Sequence, residues 1–257
     1  MSYAFGDSEL ASARLEMVAR VFGPATRVLL REAGPGARNL GVDLGCGPGH
    51  STALLSEVLQ CRRTIGLDLS AEFIERAGCF ASERVAFRVH DVNVVPFPVG
   101  PADLLFCRLL LTHLPDPIQV FERWATQLVP GGLLMVEEVE SIATNSSALE
   151  RYLEILDQML RSQSNRLYIG SELESSPVPQ PLAKWKSRIL EFPVFPSDAA
   201  AMFAMNLRTW RDHPFVREHV EEQEIARLER DLDALRNQAH PSIGIVWKLR
   251  HLIYQRN

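Results

Sequence analysis

Apolar residues recur along the chain in two rhythms. Short apolar-rich runs at Asn39–Leu44, Arg63–Leu69, Arg84–Val89, Ala102–Cys107 and Leu133–Glu137 have strand length, and the last two are nearly continuous in apolar residues, as strands covered on both faces are. Between them, Thr52–Leu59, Ala71–Ala77 and Ile118–Leu128 carry helical spacing, the second behind Ser70 as N-cap. Alternation of this kind predicts βαβ units and a parallel sheet. Upstream, Leu10, Leu15, Val18, Val21, Phe22, Val28 and Leu29 also fall at helical spacing, with Gly23-Pro24 interrupting them. That pattern predicts two N-terminal helices within residues 1–33, the second ended by Gly34-Pro35-Gly36.

Beyond residue 140 the rhythm changes. Ala148–Leu160 reads as a helix, Ser175–Pro181 as a proline-rich loop and Lys184–Phe195 as a strand. Ser197–Gln238 is helical with a break at His213-Pro214, and Ser242–Tyr254 returns to strand character. The whole chain, residues 1–257, reads as one α/β domain, with residues 197–240 a helical insertion placed as a lid. Met202, Phe203, Met205 and Trp210 sit at helical spacing in it. They suit an adaptable apolar wall for an acceptor, or plain core packing. Ile225, Leu228, Leu232 and Leu235 repeat at intervals of 3, 4 and 3, a candidate homodimer seam or a face packed on its own domain.

Composition narrows the function. With 46% hydrophobic residues, 23% charged residues and a net charge of −5, the chain resembles a soluble protein and has no basic run suited to nucleic acid. Cys46, Cys61, Cys79 and Cys107 lack metal-ligand spacing, so no metal is expected and reduced thiols fit a cytoplasmic protein. Met1–Leu10 lacks the features of a signal peptide, and no apolar run reaches the length of a membrane span.

The chemistry concentrates in Val42-Asp43-Leu44-Gly45-Cys46-Gly47-Pro48-Gly49-His50-Ser51. Strand, glycine turn and helix start follow one another, which brings bare backbone close to a ligand. The spacing is Gly-x-Gly-x-Gly, neither the Gly-x-Gly-x-x-Gly of dinucleotide sites nor a P-loop. Asp43, inside the strand, disfavours a pyrophosphate and suits a cation. Asp68, Asp91 and Cys107-Arg108 fall at or near the ends of three further strands, on the edge where open α/β sheets bind ligands.

Asp-x-Gly-x-Gly-x-Gly resembles motif I of class I S-adenosylmethionine (SAM) methyltransferases, and residues 39–140 follow the order of their SAM-binding half. The segment from Phe106 to Asp116, with Leu-Thr-His-Leu-Pro-Asp, resembles the UbiE-like small-molecule branch. The resemblance implies a Rossmann-like seven-stranded, mostly parallel sheet with its last strand antiparallel, and SAM as cofactor. It implies that the backbone of Gly45, Cys46, Gly47 and Gly49 passes under the methionyl part and that Asp43 supports the ammonium. Asp68 would hold the ribose hydroxyls and Leu69 the adenine face. Asp91 and Val92 would read the adenine edge, and the backbone at Cys107 and Arg108 would accept from the ammonium.

Methyl transfer is an in-line displacement that proximity and alignment accelerate, while an acidic acceptor also needs a base. His113, Glu137, Glu138 and His213 are the candidates, with His113 the catalytic choice; His50 is expected on the surface of the loop helix. The reading is a SAM-dependent methyltransferase acting on O or N of a small molecule in specialised metabolism. A methyltransferase for tRNA or protein, and a binding module or cyclase on the same fold, remain as alternatives.

Overall fold

A computed structural model describes residues 9–237 and 242–257. Its parallel half alternates as expected: β1 (Leu40–Leu44), α2 (His50–Leu59), β2 (Arg63–Asp68), α3 (Ala71–Ala77), β3 (Val85–Val89), β4 (Ala102–Arg108), α4 (Gln119–Ala125) and β5 (Leu128–Thr144). Helix α1 (Glu9–Arg31) precedes them. Downstream follow α5 (Ser147–Ser162), α6 (Gly170–Ser175), β6 (Leu182–Val194), α7 (Pro196–Trp210), α8 (Pro214–His219), α9 (Glu222–Asn237) and β7 (Ile245–Arg256).

The seven strands form a single sheet in the order β3-β2-β1-β4-β5-β7-β6. Strands β1 to β5 pair in parallel, and β7 runs antiparallel between β5 and β6. The order reverses between β1 and β4, the switch point at which such sheets open a crevice beyond their carboxyl ends. Val42, Leu44, Ile65, Leu67, Leu104, Leu105, Phe106 and Cys107 are buried, and the continuous stretch in β4 is that of a strand covered on both faces.

Two helices broken at Gly23-Pro24 were expected, and among the described residues a single helix, α1, runs through that position. Pro24 lies inside α1, where a proline removes a backbone hydrogen bond and costs about 3 kcal/mol. Val21, Phe22, Ala25, Leu29 and Leu30 are buried on both sides of that position. Each large apolar side chain among them contributes about 1.5–3 kcal/mol by leaving water, so continuous packing outweighs the local break.

Residues 197–237, the described part of the 197–240 insertion, pack into a core of their own rather than over the sheet rim. Met202, Phe203, Leu207 and Trp210 are buried with Tyr152, Met159 and Trp247 in a core made by α1, α5 and α7–α9 against the extended ends of β5–β7. The physical reason is strand length: β5 runs for 17 residues and β7 for 12, so their far ends present apolar surface that these helices must cover. Of the two readings of Ile225, Leu228, Leu232 and Leu235, the structure takes the face packed on its own domain, since all four face this core. Tyr3 and Phe5 are further candidates in the sequence for closing the site, and both lie outside the described residues.

Candidate functional site

At the switch point lies a cavity of about 810 Å³. Its walls are the glycine loop, the segments that follow β2, β3 and β4, and one side of α1. A smaller hollow of about 310 Å³ near the opposite strand ends is lined by Arg38, Asp103, Gly131 and Trp185. There Arg38 donates to backbone carbonyls and Asp103 accepts from backbone amides, so its charged groups are already engaged in holding the chain.

The loop owes its shape to glycine. Gly45, Gly47 and Gly49 have φ of 68°, 52° and 93°, in the left-handed region that other residues enter at a cost. A Cβ on Gly45 would stand 2.6 Å from Leu110 Cδ1, and one on Gly49 would stand 2.9 Å from Ala77 Cβ. The amides of Gly45 and Cys46 both donate to the Leu67 carbonyl, which ties the loop to β2. Gly45, Cys46 and Gly47 line the cavity, whereas Gly49 is turned into the packing beside α3 and β3.

Asp68 joins loop and rim. Its Oδ2 accepts from the Gly47 amide at 2.8 Å and its Oδ1 from the Ser70 amide at 2.9 Å. Next to it Leu69 stands 58% exposed within the cavity wall, an apolar face left bare where a flat ring could rest. Asp91 Oδ1 accepts from the amide and side chain of Asn93, and its other oxygen has no hydrogen-bond partner among the described residues. Val92 is buried, lines the cavity and is anchored by Trp124, whose Nε1 donates to its carbonyl at 2.8 Å.

Asp43 sits deeper than the sequence suggested. It is 1% exposed and lies under the loop, off the cavity wall, with Oδ2 accepting from Ser51 Oγ and Thr52 Oγ1, each at 2.7 Å. Burial pushes its carboxyl up to about 6, against the two hydroxyl bonds and the nearby Arg108 charge. Its negative charge therefore acts through the start of α2, with Ser51 between it and the cavity. Cys107 is also fully buried and off the wall, paired in register with Leu44; its neighbour Arg108 reaches the cavity.

Of the candidate bases only His113 lines the cavity. Burial, with Arg14 nearby, pulls it down to about 3, so it is neutral at physiological pH and a weak proton acceptor. Glu137 and Glu138 point to opposite faces of β5, as neighbours on a strand do. Glu137 accepts from Thr26 Oγ1 at 2.7 Å and meets His251 Nε2 at 2.8 Å; Glu138 accepts from the amides of Leu110 and Leu111, each at 2.7 Å. His213 caps α8 through Nδ1, remote from the cavity.

Sequence reasoning missed the contribution of α1 and misplaced His50. Arg14, Leu15 and Val18 form part of the wall; the available signal was an arginine, Arg14, set between Ala11 and Val18 on an apolar helix face. His50 lines the cavity and meets Phe80 edge-on with ring centroids 5.1 Å apart, and burial lowers its affinity for a proton.

Residues 42–136 match the methyltransferase domain family. Trans-aconitate 2-methyltransferase of Methylobacterium radiotolerans is 35% identical over 128 residues, which make up 50% of this chain and 48% of that protein. The chain spans less than half the length of this and the other curated relatives it matches. Among solved structures, the YcgJ protein of Bacillus subtilis aligns over 91% of this chain and 99% of its own at 18% identity and a TM-score of 0.58. The N-methyltransferase NodS of Bradyrhizobium japonicum, solved with S-adenosylhomocysteine, aligns over 91% and 86% at 14% identity and a TM-score of 0.52. Those two likenesses concern the fold. A seven-stranded sheet with one antiparallel strand and a three-glycine loop at its switch point thus frame residues 42–136, the part of this chain that matches the methyltransferase domain family.

Proposed function

We propose that the protein transfers a methyl group from SAM to a carboxylate oxygen of a small di- or tricarboxylic acid. The observation that carries the acceptor class is the likeness to trans-aconitate 2-methyltransferases over half the chain, and the candidate bases beside β4 agree with it. His113 is held near 3, while Glu137 and Glu138 are bonded inside the protein and lie off the cavity wall. A phenol, an alcohol or a ring N–H would need a base there. A carboxylate is ionised at neutral pH and needs none.

SAM supplies a methyl group already activated on a sulfonium. The residues fit such a ligand: bare loop backbone at Gly45 and Gly47, the Asp68 carboxylate at the rim and the exposed face of Leu69 match its methionyl, ribose and adenine parts in order along one wall. The protein's own contribution is alignment and exclusion of water, the terms that dominate for an activated donor.

The test is to incubate the full chain with SAM and trans-aconitate, citrate, a phenol, an amine or total RNA, and to follow S-adenosylhomocysteine release and alkali-labile methyl esters. Ester formed on a carboxylate is the expected result. Methylation of phenol, amine or RNA alone would overturn the acceptor class. Binding of S-adenosylhomocysteine without turnover on any acceptor would favour the binding-module or cyclase alternative, and absence of binding at millimolar ligand would remove the methyltransferase reading.

Asp43 makes cofactor binding depend on pH. Its carboxyl titrates at about 6 in the free protein, and a cation in the cavity favours the ionised form. Binding then expels a proton from molecules in which Asp43 is protonated, so affinity rises with pH below about 6 and levels above it. The limiting slope is about tenfold per pH unit for one linked proton. Calorimetry with S-adenosylhomocysteine between pH 5 and 8 checks this, with Asp43→Asn as the control that abolishes the slope; an unchanged slope in that variant assigns the dependence elsewhere.

A further inference from the structure

Arg108, the last residue of β4, lies half-buried on the cavity wall, which also carries Arg14 of α1, and its surroundings differ from those of Arg250 and Arg151. Arg250 holds Glu140 at 2.9 Å and Arg151 holds Glu224 at 2.5 Å. Among the described residues Arg108 has no carboxylate within ion-pair distance; its one hydrogen bond runs from Nη1 to Thr26 Oγ1 at 3.1 Å. A guanidinium carries five N–H donors, so most of this fork has no protein acceptor.

The single tether belongs to a longer chain. Thr26 Oγ1 donates to Glu137 Oε1 at 2.7 Å, and Glu137 Oε2 meets His251 Nε2 at 2.8 Å. Glu137 and His251 are 0% and 2% exposed, so the chain ends deep in the protein, on β5 and β7. Glu137 is the register partner of Arg108 across the β4–β5 ladder. One edge of the guanidinium is thereby fixed by α1 and a buried carboxylate, which offset its charge without contacting it. Burial pushes the guanidinium below its ordinary range, and Glu137 and Asp43 pull it back. A planar fork fixed at one edge and open at the other, in a place where water is partly excluded, is the arrangement that takes a carboxylate through paired N–H···O bonds.

We infer that the Arg108 side chain is the carboxylate receptor of the cavity, held in place by the positioning residues Thr26, Glu137 and His251. The inference rests on the proposed reading of the cavity as a site for SAM and an acidic acceptor, and goes beyond it by assigning the anion to one side chain. Two sources offer the same chemistry: the amino-acid end of the cofactor, and the acceptor.

Calorimetry on the full chain separates them. Wild type, Arg108→Gln, Arg108→Lys and Thr26→Val are titrated with S-adenosylhomocysteine, with 5′-methylthioadenosine, which lacks the amino-acid carboxylate, and with trans-aconitate in the presence of saturating S-adenosylhomocysteine. If the cofactor is the source, Arg108→Gln weakens S-adenosylhomocysteine about tenfold or more while 5′-methylthioadenosine is unchanged. If the acceptor is the source, only trans-aconitate weakens. In either case Arg108→Lys recovers part of the loss, and Thr26→Val, which keeps the guanidinium and cuts its tether, weakens the same ligand to a smaller extent. Arg108→Gln affinities within twofold of wild type for S-adenosylhomocysteine, with trans-aconitate equally unaffected or not bound by either protein, overturn the assignment. Failure of wild type itself to bind S-adenosylhomocysteine removes the methyltransferase reading, and this inference falls with it.

Discussion

Replacing Asp68 by alanine should weaken S-adenosylhomocysteine about 100-fold or more. Asp68 stands at the cavity rim with one oxygen on the Gly47 amide and the other on the Ser70 amide. Each oxygen has a further lone pair, and a ribose diol can donate to both. Hydrogen bonds to a charged acceptor contribute about 1.5–3 kcal/mol each, and 1.4 kcal/mol is about a factor of ten in affinity. The Gly47 amide also loses its partner, so the loop itself is less well held. Asp68→Asn keeps one carbonyl acceptor and is expected to lose only about tenfold. Isothermal calorimetry on both variants checks the order; an Asp68→Ala affinity within threefold of wild type would remove Asp68 from the cofactor wall.

The sheet and the loop were legible because they are local. Short apolar-rich runs, Ser70 at the start of α3 and three glycines spaced by one residue are read within windows shorter than the elements they predict. Asp68 and Leu69 came from the same signal, since a strand followed by a helix has only one carboxyl end. The depth of Asp43 was not legible. It depends on which face of β1 the side chain takes and on Ser51 and Thr52 folding back onto it from α2. The fate of Glu137 was more remote still, decided by Thr26 and His251, 111 and 114 positions away in the chain. Nor could spacing say whether α1 survives Pro24, because the answer lies in what covers the helix on both sides of it.

Phe203→Ala should cost the protein about 3–5 kcal/mol of stability and leave S-adenosylhomocysteine affinity within twofold of wild type. At helical spacing with Met202, Met205 and Trp210, Phe203 reads equally as a lid lining and as core, and the two roles predict opposite phenotypes. The Phe203 ring stacks on Tyr152 with centroids 4.0 Å apart at 9°, and leans on Trp247 at 5.8 Å. It is 5% exposed and is absent from the cavity wall. Truncation therefore opens a hole among aromatic rings that cannot easily collapse, which is where large-to-small changes cost most. At about 2–4 °C per kcal/mol for a chain of this size, the midpoint should fall by roughly 10 °C, read by calorimetric or circular-dichroism melting. A lid residue would behave otherwise: stability close to wild type, with a raised KM for the acceptor. That second outcome would return α7 to the rim of the cavity and put the core assignment of α5 and α7–α9 in question.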